Sequence, residues 1–261
     1  MSDSQLNLRD AFGVRPASQN AVDLFRGEWS SAFPEWSEVV TGGGCGFHED
    51  ERVRWGWEKL GREGQSVLEL GPLEGGHSYL LEQLGAGSVL ALEANSRAFL
   101  KCLVAKELLG HRRTRFLLGD FNVFLENPSR RFDLCLACGV LYHQKDPIWL
   151  LRRIAKVADS VYLWFNYYDP KWFEQRPELA LKEPFVEERR SWDGLEYRAY
   201  RRAYGASLEW KGFCGGEAWA AWLEFETVCL ALDRLGFEVV DSRQEENPNG
   251  PAASVAARKR R

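Results

Sequence analysis

No apolar run in the 261-residue sequence approaches the ~20 residues that span a bilayer. The opening Met1-Ser2-Asp3-Ser4-Gln5 has neither the basic start nor the apolar stretch of a signal peptide. A basic balance is missing too. Lys and Arg total 34 against 38 Asp and Glu, a net charge of −4, which disfavours a dedicated nucleic-acid binder. The one concentrated basic run, Arg258-Lys259-Arg260-Arg261, reads as a frayed, solvated tail. Cysteine supplies no framework: six residues are spread singly without secretory context, so reduced thiols in a cytoplasmic protein are expected. Cys135 and Cys138 form a CxxC inside an apolar strand-like run. Residues three apart on a strand point to opposite faces, so no metal site is expected.

What remains is globular: 45% hydrophobic and 28% charged residues, enough to build a large core without disulfides. Eleven tryptophans exceed ordinary core needs and suit pockets for planar or cationic ligands.

Residues 1–64 read as an N-terminal helical cap region. Apolar spacing over residues 20–25, a break and new cap at Gly27-Glu28-Trp29-Ser30-Ser31, and an amphipathic helix from Asp50 to Leu60 mark it. From Ser66 strands and helices alternate. Strands are predicted over 66–70, 88–93, 114–118, 132–137 and 160–165, with helices over 76–84, 97–109 and 147–157. This pattern predicts a doubly wound α/β fold with a mostly parallel sheet covered on both faces. Residues 169–217 lose the rhythm and read as an insertion, a candidate substrate lid. A long helix over 217–235 and two strands over 237–241 and 253–257 would close the sheet as a C-terminal hairpin, giving seven strands in one domain, 65–261.

The strongest local signal is Glu69-Leu70-Gly71-Pro72-Leu73-Glu74-Gly75-Gly76, which follows the first strand and opens the first helix. Open α/β sheets bind ligands beyond the carboxyl ends of their strands. Gly71 permits a tight turn, and Gly75 and Gly76 allow close backbone approach. A pyrophosphate site would want glycine where Leu73 stands. Carboxylates near the loop suit a cationic adenosyl ligand such as S-adenosylmethionine instead. Glu93, with Ala94, ends the second strand and can accept both ribose hydroxyl protons. Asp120 and Phe121 follow the third strand, where a carboxylate can take an adenine amino group and a ring can pack on the base. Cys138 and Gly139 follow the fourth. Read singly, Glu93 is a solvated strand-end acid, Asp120 a helix cap and Gly71 a strand-to-helix turn. In order, at successive strand ends, they describe one pocket.

On these residues the sequence resembles the class I S-adenosylmethionine-dependent methyltransferases over about 67–257. The segment Gly139-Val140-Leu141-Tyr142-His143 is similar to the tRNA wobble-uridine carboxymethyltransferases and related bacterial methyltransferases. The resemblance implies a Rossmann-like fold, S-adenosylmethionine as cofactor, and Gly71, Glu93, Asp120, Phe121, Cys138 and Gly139 as its contacts. The acidic balance argues against tRNA. Phe213-Cys214-Gly215-Gly216 and Gly27-Glu28-Trp29-Ser30-Ser31 resemble features of the small-molecule relatives.

Methyl transfer to a hydroxyl or ammonium needs a base. His143 is the best placed, since imidazole titrates near neutrality, and Tyr142 is a candidate to orient the acceptor. Asn166 and Tyr168, after the fifth strand, and Tyr200 and Arg201, in the insertion, are candidate acceptor contacts, with Arg198 and Arg202 as further cations for an acidic group. The leading expectation is a small-molecule methyltransferase. The alternatives are a tRNA-modifying enzyme and a non-catalytic module that binds a partner through exposed tryptophan.

Overall fold

The computed structural model describes residues 15–177, 184–205, 217–247 and 249–260. The segment 213–216 therefore lies outside the described residues.

A seven-stranded sheet forms the centre, in the order β3-β2-β1-β4-β5-β10-β9. Its strands are β1 (Ser66–Leu70), β2 (Ser88–Glu93), β3 (Thr114–Leu118), β4 (Phe132–Cys138), β5 (Ala158–Asn166), β9 (Phe237–Asn247) and β10 (Gly250–Lys259). β1 to β5 are parallel, and β10 is antiparallel to both β5 and β9. The expected C-terminal hairpin is therefore present. It is longer than the apolar pattern suggested, because β9 is mostly exposed and carries polar residues.

Alternation along the buried strands splits the core in two. Val67, Tyr162 and Trp164 pack with α2 (Glu51–Leu60), α3 (Gly76–Gln83) and α4 (Ser96–Leu109). Leu68, Leu70, Leu163 and Phe165 pack with α5 (Phe121–Glu126), α6 (Pro147–Val157) and α7 (Phe225–Arg234). The helix starts follow local chemistry. Asn95 accepts from the N–H groups of Arg97 and Ala98 to cap α4, and Asp146 caps α6 ahead of Pro147.

Two expectations are corrected. Residues 219–223 are not helical. Trp219–Leu223 forms β8, paired antiparallel with β7 (Leu195–Ala203), so tertiary pairing overrides the helix propensity of its alanines. β7 also pairs with β6 (Phe185–Trp192), so the region after β5 carries a three-stranded sheet, β6-β7-β8. The C-terminal basic run is not a frayed tail: Arg258 and Lys259 lie in β10, and the Arg260 N–H donates to Gly236 O (2.9 Å).

Among the described residues, the N-terminal region is helical in α1 (Ser18–Asp23), two short 3-10 turns and α2. Between α1 and α2 the chain runs as an irregular strap against α3 and α4. Val22, Phe25, Trp29 and Val39 form its own small core, packed on Val104 and Leu108 of α4. No helix among the described residues is long and apolar enough to cross a membrane.

Candidate active site

The loops after β1, β3 and β4 form one continuous rim. Gly71 N–H donates to Leu92 O at the end of β2 (3.0 Å), Gly119 N–H to Glu93 O (2.8 Å), and Gly139 N–H to Trp164 O on β5 (2.8 Å). Gly71 (φ 65°) and Gly139 (φ 81°) both take the left-handed conformation that favours glycine. A Cβ on Gly71 would stand 3.3 Å from Val140, so the β1 and β4 loops meet directly. Gly71, Glu93, Asp120 and Gly139, inferred from separate strand ends, are gathered on one edge.

Glu93 is buried at the centre of this rim. Its Oε2 accepts from Leu73 N–H (3.1 Å) and its Oε1 from Asn95 N–H (2.8 Å). Burial raises its carboxyl to about 7 despite these bonds and one from the exposed Ala94. The N–H that a phosphate-binding loop would aim at a pyrophosphate is here spent on Glu93. Beside it, Glu69 is fully buried. Its Oε2 accepts from the Ser78 hydroxyl, and its Oε1 has no hydrogen-bond partner. Burial raises the Glu69 carboxyl as well. Two buried carboxylates, one with an unpartnered oxygen, fit a ligand that brings hydroxyl donors and positive charge. They do not fit one that brings phosphates.

Asp120 caps α5, accepting from Asn122 N–H (2.7 Å), so the capping role is real; its exposed position on the rim leaves it open to a ligand as well. Phe121 is committed to the core beneath α5. Cys138 ends β4 on the α2 face, where burial pushes its thiol up to about 12. Gly75 (φ 81°) precedes α3, where a Cβ would stand 3.0 Å from the Phe116 ring.

The side around the ends of β4 and β5 is built differently. His143 and Tyr142 share a turn after β4, their rings 4.4 Å apart. The His143 Nδ1 lies 2.5 Å from the Tyr204 hydroxyl, which also donates to Tyr142 O (3.3 Å). Burial, with Arg202 nearby, pushes the imidazole down to about 4, so it is neutral across the ordinary pH range. Burial raises the Tyr142 hydroxyl. Arg202 spans the rings of Trp222 (5.1 Å) and Phe185 (5.5 Å). Tyr168 stacks on Tyr200 at 3.6 Å, and the Tyr200 hydroxyl donates to Glu224 (2.6 Å). Asn166 is buried. Its Nδ2 donates to Gly250 O (3.1 Å), while its Oδ1 is buried without a hydrogen-bond partner, in a region it shares with Tyr142, Leu223 and Val228. Arg201 is not with this group. One step along β7 from Tyr200 and from Arg202, it lies on the opposite face, exposed, near Trp219 and Glu188.

Two clusters escaped the sequence reading. Glu74 is wholly buried and paired with Lys101 (2.5 Å). Its only signal was a charged residue inside a glycine loop. Asp50, read only as a helix start, binds Arg52 (2.6 Å) and His77 (2.9 Å). Burial works to raise the Asp50 carboxyl, but hydrogen bonds from His77 and Arg52 hold it well below the usual range. Arg52 in turn lies 4.3 Å over the Trp164 ring.

Comparison with solved structures gives this rim a context. The N-terminal domain of EvdMO1, crystallised with SAH bound, superposes with a TM-score of 0.67 at 22% identity, covering 94% of this chain and 95% of that one. Magnesium protoporphyrin IX methyltransferase from Synechocystis PCC 6803, with bound SAH, gives a TM-score of 0.58 at 14% identity, over 98% and 94% of the two chains. The fold is that of the S-adenosylmethionine-dependent methyltransferases. No protein-family model matches the chain. Among curated sequences, a 98-residue stretch is 28% identical to a tRNA U34 carboxymethyltransferase of Campylobacter hominis. That stretch is 38% of this chain and spans about a third (34%) of the relative. A methyltransferase fold thus holds a rim of glycines and buried acids on one side and an aromatic wall around His143 on the other.

Proposed function

We propose that the chain is an S-adenosylmethionine-dependent methyltransferase acting on oxygen, nitrogen or sulfur of a small-molecule acceptor. The observation that carries the reading is Glu93, a buried carboxylate at the end of β2 held by two backbone N–H groups beside a glycine turn. Its remaining lone pairs suit the two hydroxyls of a ribose. Glu69 places a second buried carboxyl behind it, and Gly71, Gly75 and Gly139 keep side chains out of the approach. Asp120 lies where it could receive an adenine amino group.

S-adenosylmethionine, when bound, supplies a methyl group on a cationic sulfur. The chain has to orient a nucleophile and take its proton. His143 is neutral and ready to accept that proton, and the Tyr204 hydroxyl at Nδ1 fixes the ring. Arg202, close enough to depress the imidazole, also favours an ionising acceptor hydroxyl. Tyr142, Tyr168, Tyr200 and Asn166 form the wall against which a compact acceptor is held. The 98-residue likeness to a tRNA-modifying enzyme supports a second reading, in which a tRNA uridine is the acceptor. Salt-sensitive retention of bulk tRNA on filters would favour it, and its absence would favour the small molecule.

Isothermal titration with S-adenosylhomocysteine between pH 6 and 8 tests the donor site. Hydroxyl donors bind the ionised Glu93. With its carboxyl near 7, affinity should rise as pH increases through 7 and level off above it. Glu93→Gln should bind about 10- to 100-fold more weakly, with no such pH dependence. Wild-type protein that shows no saturable binding would overturn the reading.

A further inference from the structure

We infer that Glu74 is a positioning residue of the donor site: it locks the N-terminal strap, residues 24–47, onto the loop that presents Leu73 to Glu93, so that strap docking and donor binding are one equilibrium. The inference rests on the donor reading above.

The Glu74 carboxylate is saturated by donors from two distant segments. Its Oε2 accepts from Ser31 N–H (2.8 Å) and Ser30 N–H (3.2 Å), and its Oε1 from Ser30 N–H (3.0 Å) and the Lys101 ammonium (2.5 Å). Lys101 reaches back to the strap as well, donating to Glu28 O (2.7 Å) and lying 5.6 Å from the Trp29 ring. The side chains of Glu74 and Lys101 are 0% and 4% exposed. A buried carboxylate loses its hydration, so it must keep these partners or become strongly unfavourable. The strap therefore cannot leave without exposing or orphaning Glu74. It is also fitted closely at other points. A Cβ on Gly43 would stand 2.5 Å from Ser31 O, and one on Gly76 would stand 2.6 Å from Phe47.

The neighbouring residue is the link to the donor. Leu73 holds a left-handed conformation (φ 56°) that a branched side chain rarely adopts. Such strain persists only where the surroundings impose it. Here they are the Glu74 clasp on one side and two hydrogen bonds on the other, from Leu73 N–H to Glu93 (3.1 Å) and from the Cys102 thiol to Leu73 O (3.4 Å). Release of Glu74 frees Leu73 to relax, which turns its N–H away from Glu93. A donor bound through Glu93 in turn favours the Leu73 conformation that the docked strap requires, because coupling of this kind is reciprocal.

The test combines hydrogen exchange over residues 24–47 with titration of S-adenosylhomocysteine, on wild type, Glu74→Gln, Glu93→Gln and the double variant. In wild type, S-adenosylhomocysteine should slow exchange of the strap. In Glu74→Gln the strap should exchange rapidly with or without it, and affinity should fall about tenfold. Because Glu74 acts through Leu73 and Glu93, the double variant should bind about as weakly as Glu93→Gln alone. A merely structural Glu74 would give additive losses, and additive losses overturn the inference. Folded Glu74→Gln that binds like wild type overturns it too. Should Glu74→Gln fail to fold, Trp29→Ala loosens the strap while keeping both charges. It is expected to show the same weakening and the same non-additivity, and wild-type affinity in that variant would sink the coupling. Wild type that never binds S-adenosylhomocysteine removes the donor reading together with this one, whereas binding with an unchanged strap removes only this one.

Discussion

At the ends of β2 and β3 the side chains that matter are held by backbone groups two to twenty residues away. Glu93 is fixed by Leu73 and Asn95, and Asp120 by Asn122. At the ends of β4 and β5 they are held by other side chains from far along the sequence. His143 leans on Tyr204, Tyr168 on Tyr200, and Arg202 on Trp222 and Phe185. Backbone donors have fixed positions, so the edge proposed for the methyl donor keeps its shape whatever surrounds it. A wall of interleaved rings takes its shape from whichever residues occupy it. The first arrangement suits a constant cofactor and the second a variable acceptor.

The sharpest way to break this contrast is to unpair a charge on the donor side. Lys101→Met leaves the Glu74 carboxylate buried without its cation. It should cost about 3–5 kcal/mol in denaturant unfolding, far more than truncating a ring-stacked cation on the acceptor side. A nearly neutral result would mean that the strap, not the ion pair, dominates that edge.

An intermediate effect is expected at His143. Its imidazole sits near 4, below the ordinary value of 6.5, so the folded state resists protonation between those limits. As the proposed general base, His143 stays available as pH falls through 6, and the acid limb of kcat should lie well below 6.5. The same shift costs stability as pH drops through that window, because the unfolded chain takes the proton first. Arg202→Met removes one of the two causes, and the acid limb should move upward. A limb that stays in place would leave burial alone responsible.

The smallest effect separates two roles of one residue. Asp120→Ala removes the α5 cap and should destabilise the fold by about 1 kcal/mol. If Asp120 serves only as a cap, affinity for S-adenosylhomocysteine per folded molecule stays constant. Weakened affinity would assign it to the adenine side of the rim.

The same division explains how much the sequence disclosed. The parallel sheet, its order of elements and the acids at its strand ends are legible because each rests on short-range periodicity and on where a strand stops. The hairpin of β6 and β7 is not. Phe185-Val186-Glu187-Glu188-Arg189-Arg190-Ser191-Trp192 places charge on both faces, which erases the two-residue alternation that marks a half-buried strand. β8 is disguised as the start of a helix by its alanines, and only pairing with β7 settles its conformation. Glu74 lacks a local signature as well, since its partners lie 27 residues later and 43 to 44 residues earlier.

One hydrogen bond gives the smaller sheet an unexpected use. The Ala221 N–H of β8 donates to Gln144 O (2.9 Å), directly after the Tyr142-His143 turn, while from β6 the Arg190 side chain donates to Lys145 O (2.7 Å) one residue further on. The His143 turn is thus tied through the backbone to β8. Recombining 185–203 as a block would redraw the wall of the proposed acceptor site while leaving that tie in place, which makes the block the natural unit to exchange in testing the proposal.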